Sequence, residues 1–311
     1  MQPFYIIFIF FFITNSIVSN QLPSKIIGLI AARNESLQIS QCIKALHPYV
    51  DGIIYLDDAS TDNSVAIVKS LANEYNILHI IEKKIWIRDE PGDRNMLLNI
   101  GRTLGGTHFI VIDADEMFTA NCLEDNFLRN KILSLQPGDE LLLNWIQLWR
   151  SIEYYRFDNS VWTWNYKNII FCDDKKCSYS SDFIHTPRCP YDLHGTRYTI
   201  EGYTYGLLHF QFVNWHNLLI KQAWYRCLEL IRNPNISAHA INSKYAPSKD
   251  ERNLRREKCP KQWFDGYSSF FDQTIYLENE KWRTKQVIDW FTQYGKIFFK
   301  DLDIWDINWN I

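Results

Sequence analysis

Asp113-Ala114-Asp115-Glu116 places three carboxylates within four residues, directly after the strand-forming run Phe109-Ile110-Val111-Ile112. Such a short apolar run reads as a buried, parallel strand. In an open α/β sheet, ligands bind where such strands end. Three crowded carboxylates repel one another, and a divalent cation carrying phosphate oxygens relieves that repulsion. Two further polar clusters follow strand-like runs upstream. Lys25 to Ala32 leads into Arg33-Asn34-Glu35-Ser36, and Gly52 to Leu56 leads into Asp57-Asp58-Ala59-Ser60-Thr61-Asp62. A lone Asp-x-Asp is most often a solvated turn. Three polar clusters following strands one, two and four are the pattern of a ligand site.

The elements that must position these residues alternate. Leu37 to Leu46 has helical spacing and ends at Pro48. A second helix follows Asp62, with Val65, Ile67, Val68 and Leu71 on its apolar face and Asp62 as its cap. Ile77 to Ile81 reads as a third strand, and Asp93 to Leu104 as a third helix closed by Gly105-Gly106. Strand–helix repeated three times and then a strand predicts a mostly parallel α/β sheet with helices on both faces. Its polar loops converge at one edge.

These segments resemble family 2 glycosyltransferases of the GT-A fold. The resemblance rests on Arg33-Asn34-Glu35 after the first strand and on Asp57-Asp58-Ala59-Ser60-Thr61-Asp62, similar to the family's D-D-x-S-x-D. It rests also on Asp93-Arg94-Asn95 at a helix start, similar to A-R-N, and on Asp113-Ala114-Asp115, similar to D-x-D. Asp93 departs from the family's small residue. The resemblance runs from Lys25 to about Phe118 and implies a nucleotide-sugar donor, UDP-linked by expectation, with inversion at the transferred carbon. Mn²⁺ or Mg²⁺ would neutralise the leaving diphosphate. By the same resemblance Asp115 binds the metal and Asp113 faces the ribose or a metal-bound water. Asp57 or Asp58 holds the base, Arg94 contacts phosphate or ribose, and Ala32, Arg33 and Glu35 line the nucleoside pocket. Some GT-A enzymes complete the metal shell with a downstream histidine. Here that is His209, in Gly206-Leu207-Leu208-His209, with His185 and then His194 as competitors. The general base is expected from the acceptor half, with Asp182 first, then Glu201 and Asp192.

The remaining chain is less specific. A helix is expected from Leu123 to Leu135, a strand over 140–149, a hairpin over 162–171, and an amphipathic helix from Leu218 to Ile231. The alternating charges of 248–259 read as a solvated helix face. The aromatic tail, 282–309, is expected to pack back as helix and terminal segment, its interleaved acids leaving peripheral membrane association a lesser possibility. The domain reading is 1–19 as leader, 25–215 as catalytic domain divided at 118/119, and 216–311 as a helical extension.

Composition bounds the partners. The 311 residues include 46% hydrophobic and 22% charged residues, enough for a large core, and a net charge of −3 gives no case for nucleic acid. Aromatic residues make up 15% of the chain, with 12 Trp and 17 Tyr, which suits a carbohydrate cleft as well as a core. The expected acceptor is a glycan, protein or lipid. The apolar run Phe4 to Ile13 reads as a signal peptide or short signal anchor, directing the protein to the secretory pathway or a membrane. Seven cysteines leave at least one thiol unpaired, and Cys172 and Cys177 are spaced for a local disulfide. A glycan on the Asn34 sequon would block the nucleotide site. That sequon is therefore unused, or the domain faces away from a glycosylating lumen. A nucleotidyltransferase is disfavoured, because the first loop has no glycine. A dehalogenase-type phosphatase is disfavoured by Met117. A transferase fold without catalysis remains the alternative from another class.

Overall fold

The structure is a computed structural model, described here for residues 23–180 and 185–309. The leader lies outside the described residues, as does Asp182. The sequence alternation is realised as β1 (Ile26–Ala32), α1 (Ile39–Leu46), β2 (Gly52–Asp57), α2 (Ser64–Leu71), β3 (Ile77–Glu82), α3 (Glu90–Thr103) and β4 (His108–Ile112). The strand order is β3-β2-β1-β4, all parallel. β1, β2 and β4 are buried almost throughout, which explains their unbroken apolar runs. The order reverses between β1 and β4, so the loops after those two strands flank the point where such sheets take ligands.

Beyond β4 the sheet becomes mixed. β5 (Glu116–Phe118), α4 (Phe127–Leu133), β6 (Glu140–Gln147), β7 (Tyr154–Arg156), β8 (Tyr166–Cys172), β9 (Arg197–Ile200) and β10 (Gly206–His209) follow in the chain. The sheet continues β4-β8-β6-β10-β5, with β9 beside the first half of β6. β8 is antiparallel to both β4 and β6, β10 is parallel to β6, and β5 is antiparallel to β10. Three helices close the fold: α5 (Trp215–Arg232), α6 (Ala238–Tyr245) and α7 (Trp282–Tyr294). They share one aromatic core, in which Trp224 and Trp290 pack against Val287, Phe291 and Phe299. Among the described residues no helix is long and apolar enough to cross a membrane.

Four local expectations are corrected. The helix expected from Leu123 begins instead as a 3-10 turn, broken where Asp125 and Asn126 take positive φ, and α4 starts only at Phe127. Asn and Asp tolerate that conformation and interrupt the helix there. The hairpin expected over 162–171 is absent, because β8 pairs with β4 and β6 instead of with residues 162–165. The charged stretch 248–259 is not a helix. It forms a 3-10 turn, a loop and β11 (Arg256–Lys258), which pairs with β7. Alternating charge marks an exposed face but does not specify a helical one. Finally, all seven thiols are free, six of them buried, so Cys172 and Cys177 form no disulfide. Cys177 lies instead against Asp173 and Arg102.

Helix α3 seats on β4 through Gly101. A Cβ there would come within 2.4 Å of the Phe109 ring, which is fully buried and has nowhere to move. Overpacking of this kind costs ~1–3 kcal/mol. Gly101→Ala should therefore lower the midpoint of urea unfolding. Because α3 carries Arg94 and β4 leads into Asp113, it should also weaken nucleotide binding measured on the folded fraction.

Candidate active site

Sheet register assembles the polar centre. β10 pairs Phe118, Met117 and Glu116 with Leu207, Leu208 and His209, and on its other side it sets His209 opposite Gln147. Glu116, His209 and Gln147 therefore stand in a row across three strands. Trp145, two residues before Gln147, shares their face, and so does Lys167 of β8. The Phe210 N–H donates to the Asp115 carbonyl at 2.9 Å and clamps the loop after β4 to the end of β10.

Glu116 is fully buried and accepts four hydrogen bonds. Arg188 reaches Oε2 and Oε1 with its two terminal nitrogens, both at 2.6 Å. Trp145 Nε1 donates to Oε1 at 2.6 Å, and the Asp113 N–H donates to Oε2 at 3.0 Å. Arg188 also reaches Asp113 Oδ2 at 2.7 Å. Burial alone would lower the Arg188 pKa, but Asp113 and Glu116 override it and hold the guanidinium charged. Burial likewise works to raise the Asp113 carboxyl, and Arg188 and Arg94 hold it below the usual range. Asp113 turns a half-exposed side chain to the cleft.

Asp115 meets His209 and Lys221. Its Oδ2 lies 3.4 Å from His209 Nε2 and 3.1 Å from Lys221 Nζ. Against the effect of burial, these two neighbours hold the Asp115 carboxyl well below the usual range. The histidine tautomer follows from its other partner. Gln147 Nε2 donates to the Trp145 carbonyl at 2.9 Å, so Gln147 Oε1 is the atom facing His209 Nδ1 at 2.6 Å. Nδ1 must then carry the proton, and Nε2 turns toward a carboxylate oxygen. Two acceptors so placed require a proton or a cation between them. An imidazole nitrogen beside a carboxylate is a donor set for Mn²⁺ or Mg²⁺, and the N–H on the other side of the ring is held by Gln147, as in metal-binding histidines.

Next to this centre lies a cleft of about 180 Å³. The sequence candidates Ala32, Arg33, Glu35, Asp58, Arg94, Asp113 and Asp115 all line it. Between the two alternatives left open, Asp58 lines the cleft, whereas Asp57 is buried beneath it, accepting from Ser60 N–H and Tyr55 OH. Arg33 is held by the carbonyls of Asp58 and Ala59, with its guanidinium 4.8 Å from the Trp86 ring. Four arginines around this cleft (Arg33, Arg88, Arg94 and Arg283) each keep a buried Nε with no acceptor. Buried unpaired donors are costly. An oxyanion in the cleft would offer acceptors to such donors.

The residues missed in the sequence come mostly from the C-terminal helices. Lys221, Trp224 and Tyr225 of α5 and Trp282 and Arg283 of α7 line the same cleft. The helical extension therefore forms one wall of it. The available signal was Lys221, Trp224 and Tyr225 at three- and four-residue spacing, which puts a cation and two rings on one helix face. Arg188, between Pro187 and Cys189, belongs to no motif that marks its role. Two of the base candidates do not reach the cleft. Glu201 is exposed after β9, and Asp192 is exposed and caps the Ser178 N–H. His194 is exposed beside Gly138. His185 lines a second, larger cleft. Asp62 does not cap α2 from the cap position, which Asn63 occupies. It accepts from Ser64 N–H and Ser36 N–H instead, tying the first two loops together.

Fold and cleft define a class: a GT-A-type α/β protein with a polar cleft at the ends of β1 and β4. Residues 29–127 match the model of Glycosyl transferase family 2, so the chain carries a family 2 segment from β1 to the start of α4. No curated protein matches the chain. Among solved structures it is similar to S. aureus TarS, residues 1–349, at 13% identity, covering 90% of this chain and 81% of that one with a TM-score of 0.41. A mannosyltransferase from Pyrobaculum calidifontis, in complex with GDP-Man and Mn²⁺, is 11% identical over 90% of this chain and 83% of that one, TM-score 0.38. Glucosyl-3-phosphoglycerate synthase from Mycobacterium tuberculosis, in complex with Mn²⁺ and UDP, is 20% identical over 40% of this chain and 45% of that one, TM-score 0.28.

Asp93, the departure from the family pattern, shares the Lys83 ammonium with Asp58: Lys83 Nζ lies 2.9 Å from Asp93 Oδ1 and 2.7 Å from Asp58 Oδ1. Burial pushes the Asp93 carboxyl up to about 6 against the pull of Lys83. The folded protein keeps this proton to higher pH than the unfolded chain. The resulting stabilisation is full below the ordinary value of 3.8 and is lost as pH rises through about 6. Asp93→Asn cannot titrate. Its melting temperature should therefore improve relative to wild type between about pH 4 and about pH 7. A difference that stays constant over that range would contradict the assignment.

Proposed function

We propose that this protein transfers a sugar from a nucleoside diphosphate sugar, UDP-linked in the first instance, to a glycan, protein or lipid acceptor, with inversion and with Mn²⁺ or Mg²⁺ as cofactor. The observation that carries the proposal is the pairing of Asp115 Oδ2 with His209 Nε2 across 3.4 Å, with the ring N–H committed to Gln147. Asp115 and His209 would hold the cation, which when bound acts as a Lewis acid on the leaving diphosphate.

The chain's own residues do the rest. Asp58, fixed by Lys83, accepts a hydrogen bond from the base, and Arg33 with Trp86 closes the nucleoside pocket. Asp113, held by Arg188, takes the ribose hydroxyls. Arg94 and Arg283 offer guanidinium donors to the phosphates. Lys221 keeps positive charge beside the position where the leaving group gains negative charge. Asp182 is the proposed base for the acceptor hydroxyl, and its neighbours His185 and Thr186 line the larger cleft. Residues 1–19 are proposed to take the protein to the secretory pathway or a membrane surface.

A panel of UDP- and GDP-sugars with Mn²⁺ tests the reading by thermal shift. The right donor at a hundred times its dissociation constant adds about 2.7 kcal/mol of stability. Asp115→Ala should abolish transfer and the Mn²⁺-dependent part of that shift. Gln147→Leu, which frees the His209 ring, should raise the Mn²⁺ concentration needed by ~10–100-fold. If no nucleotide sugar stabilises the wild type with Mn²⁺, the proposal fails.

A further inference from the structure

The larger cleft, about 680 Å³, joins the donor cleft at Arg94, Asp113, Asp115 and Lys221. It is of a size that holds a small ligand with most of its surface covered. Its lining carries five basic residues, Arg94, Lys167, Arg188, Lys221 and Lys244, against three acidic ones, Glu90, Asp113 and Asp115.

Most of these charges are already matched. Arg188 is taken by Glu116 and Asp113, Lys221 by Asp115, and Lys244 by Glu229 at 2.7 Å. Arg94 faces the donor cleft as well and has a use there. Lys167 is different. Among the described residues its ammonium has no hydrogen bond and no ion pair, although its backbone pairs with β6. Its ammonium lies 4.6 Å from the centre of the Trp145 ring, a cation–π contact. Burial and the Arg188 guanidinium lower its pKa, and Glu116 and Asp113 offset this only in part. A partly buried lysine of this kind is expensive unless something anionic meets it.

Its placement fixes what that anion must be attached to. Trp145 stacks on His209 at 4.2 Å, so the Lys167 ammonium and the His209 ring lie within about 9 Å of each other, the two ring distances end to end. An anion on Lys167 therefore belongs to a molecule whose other end reaches the transfer centre, about the span of one charged sugar residue. Trp162 adds an aromatic wall, its indole pinned by a 2.8 Å bond from Nε1 to the Pro247 carbonyl. Rings of this kind pack on the apolar faces of sugars.

We infer that Lys167, with Trp145 and Trp162, forms an acceptor subsite for a sugar carrying a phosphate or a carboxylate. This rests on the transferase reading above, and the experiment tells failure of the subsite from failure of that reading.

The test is calorimetric, on full-length wild type with Mn²⁺ and saturating UDP or GDP to fill the donor site. Hexose 6-phosphates and hexuronates are each compared with the neutral parents glucose, galactose and mannose. A charged acceptor on an ammonium should bind at least about tenfold tighter than its parent. The preference should shrink as salt rises, disappear in Lys167→Met, and survive in Lys167→Arg. The phosphate and carboxylate arms show which anion is taken. Neutral parents binding as tightly as the anions, or an undiminished preference in Lys167→Met, overturns the subsite while leaving the transferase reading intact. The salt series on wild type decides the matter even if Lys167→Met does not fold. Failure of both UDP and GDP to bind removes the transferase reading and the subsite with it.

Discussion

Everything at the centre of this molecule depends on one buried ion pair, Glu116 with Arg188. Burying two opposite charges costs several kcal/mol for each ion, and attraction alone seldom repays it. Here the geometry is complete. A carboxylate has about four lone-pair sites, and Glu116 uses them all: two on the guanidinium fork, one on Trp145 Nε1 and one on the Asp113 N–H. The pair is therefore worth more as a positioning device than as a source of stability. It joins the start of β5 to the loop before β9, and through Trp145 to β6. Three segments distant in sequence are thereby held at fixed distances from Asp113 and Asp115.

The pair also shapes the field. Without Arg188, three carboxylates in four residues would repel, and at least one would take up a proton. With it, Glu116 is neutralised inside and Asp113 is kept ionised and turned outward, while Asp115 is left to Lys221 and His209. One tetrapeptide thus supplies an anchor, an outward acceptor and an inward anion. The division of labour arises from which cation each acid meets.

Much of the first half was legible in the sequence because its signals are local. Buried parallel strands show as unbroken apolar runs, and their polar loops mark the sheet edge, so β1 to β4 and the loops that carry Arg33, the Asp57-Asp58 pair and Asp113 could be read from order. What escaped depends on register and on long-range burial. No periodicity announces that His209 pairs opposite both Glu116 and Gln147. Whether Asp57 or Asp58 faces the cleft turns on one residue of strand twist. Arg188 gave no sign of its role, because an arginine in a Pro- and Cys-flanked loop looks the same whether solvated or buried. The stretch 248–259 misled for the opposite reason, since charge alternation reports exposure and carries no information about backbone shape.

The C-terminal helices show how the strand-end surface of the sheet acquires a second wall. The α/β half supplies acids and backbone at the strand ends, a surface that is shallow by itself. α5 and α7 close it with Trp224, Trp282, Lys221 and Arg283. Their own stability comes from a separate aromatic core, packed among α5, α6 and α7. That separation matters. Residues in the wall can change to suit a ligand without loosening the sheet, and residues in the sheet are constrained by Glu116 and Arg188 whatever the ligand. The cleft is thus built from a fixed side that sets the geometry of the reacting charges and a second side free to determine what is recognised.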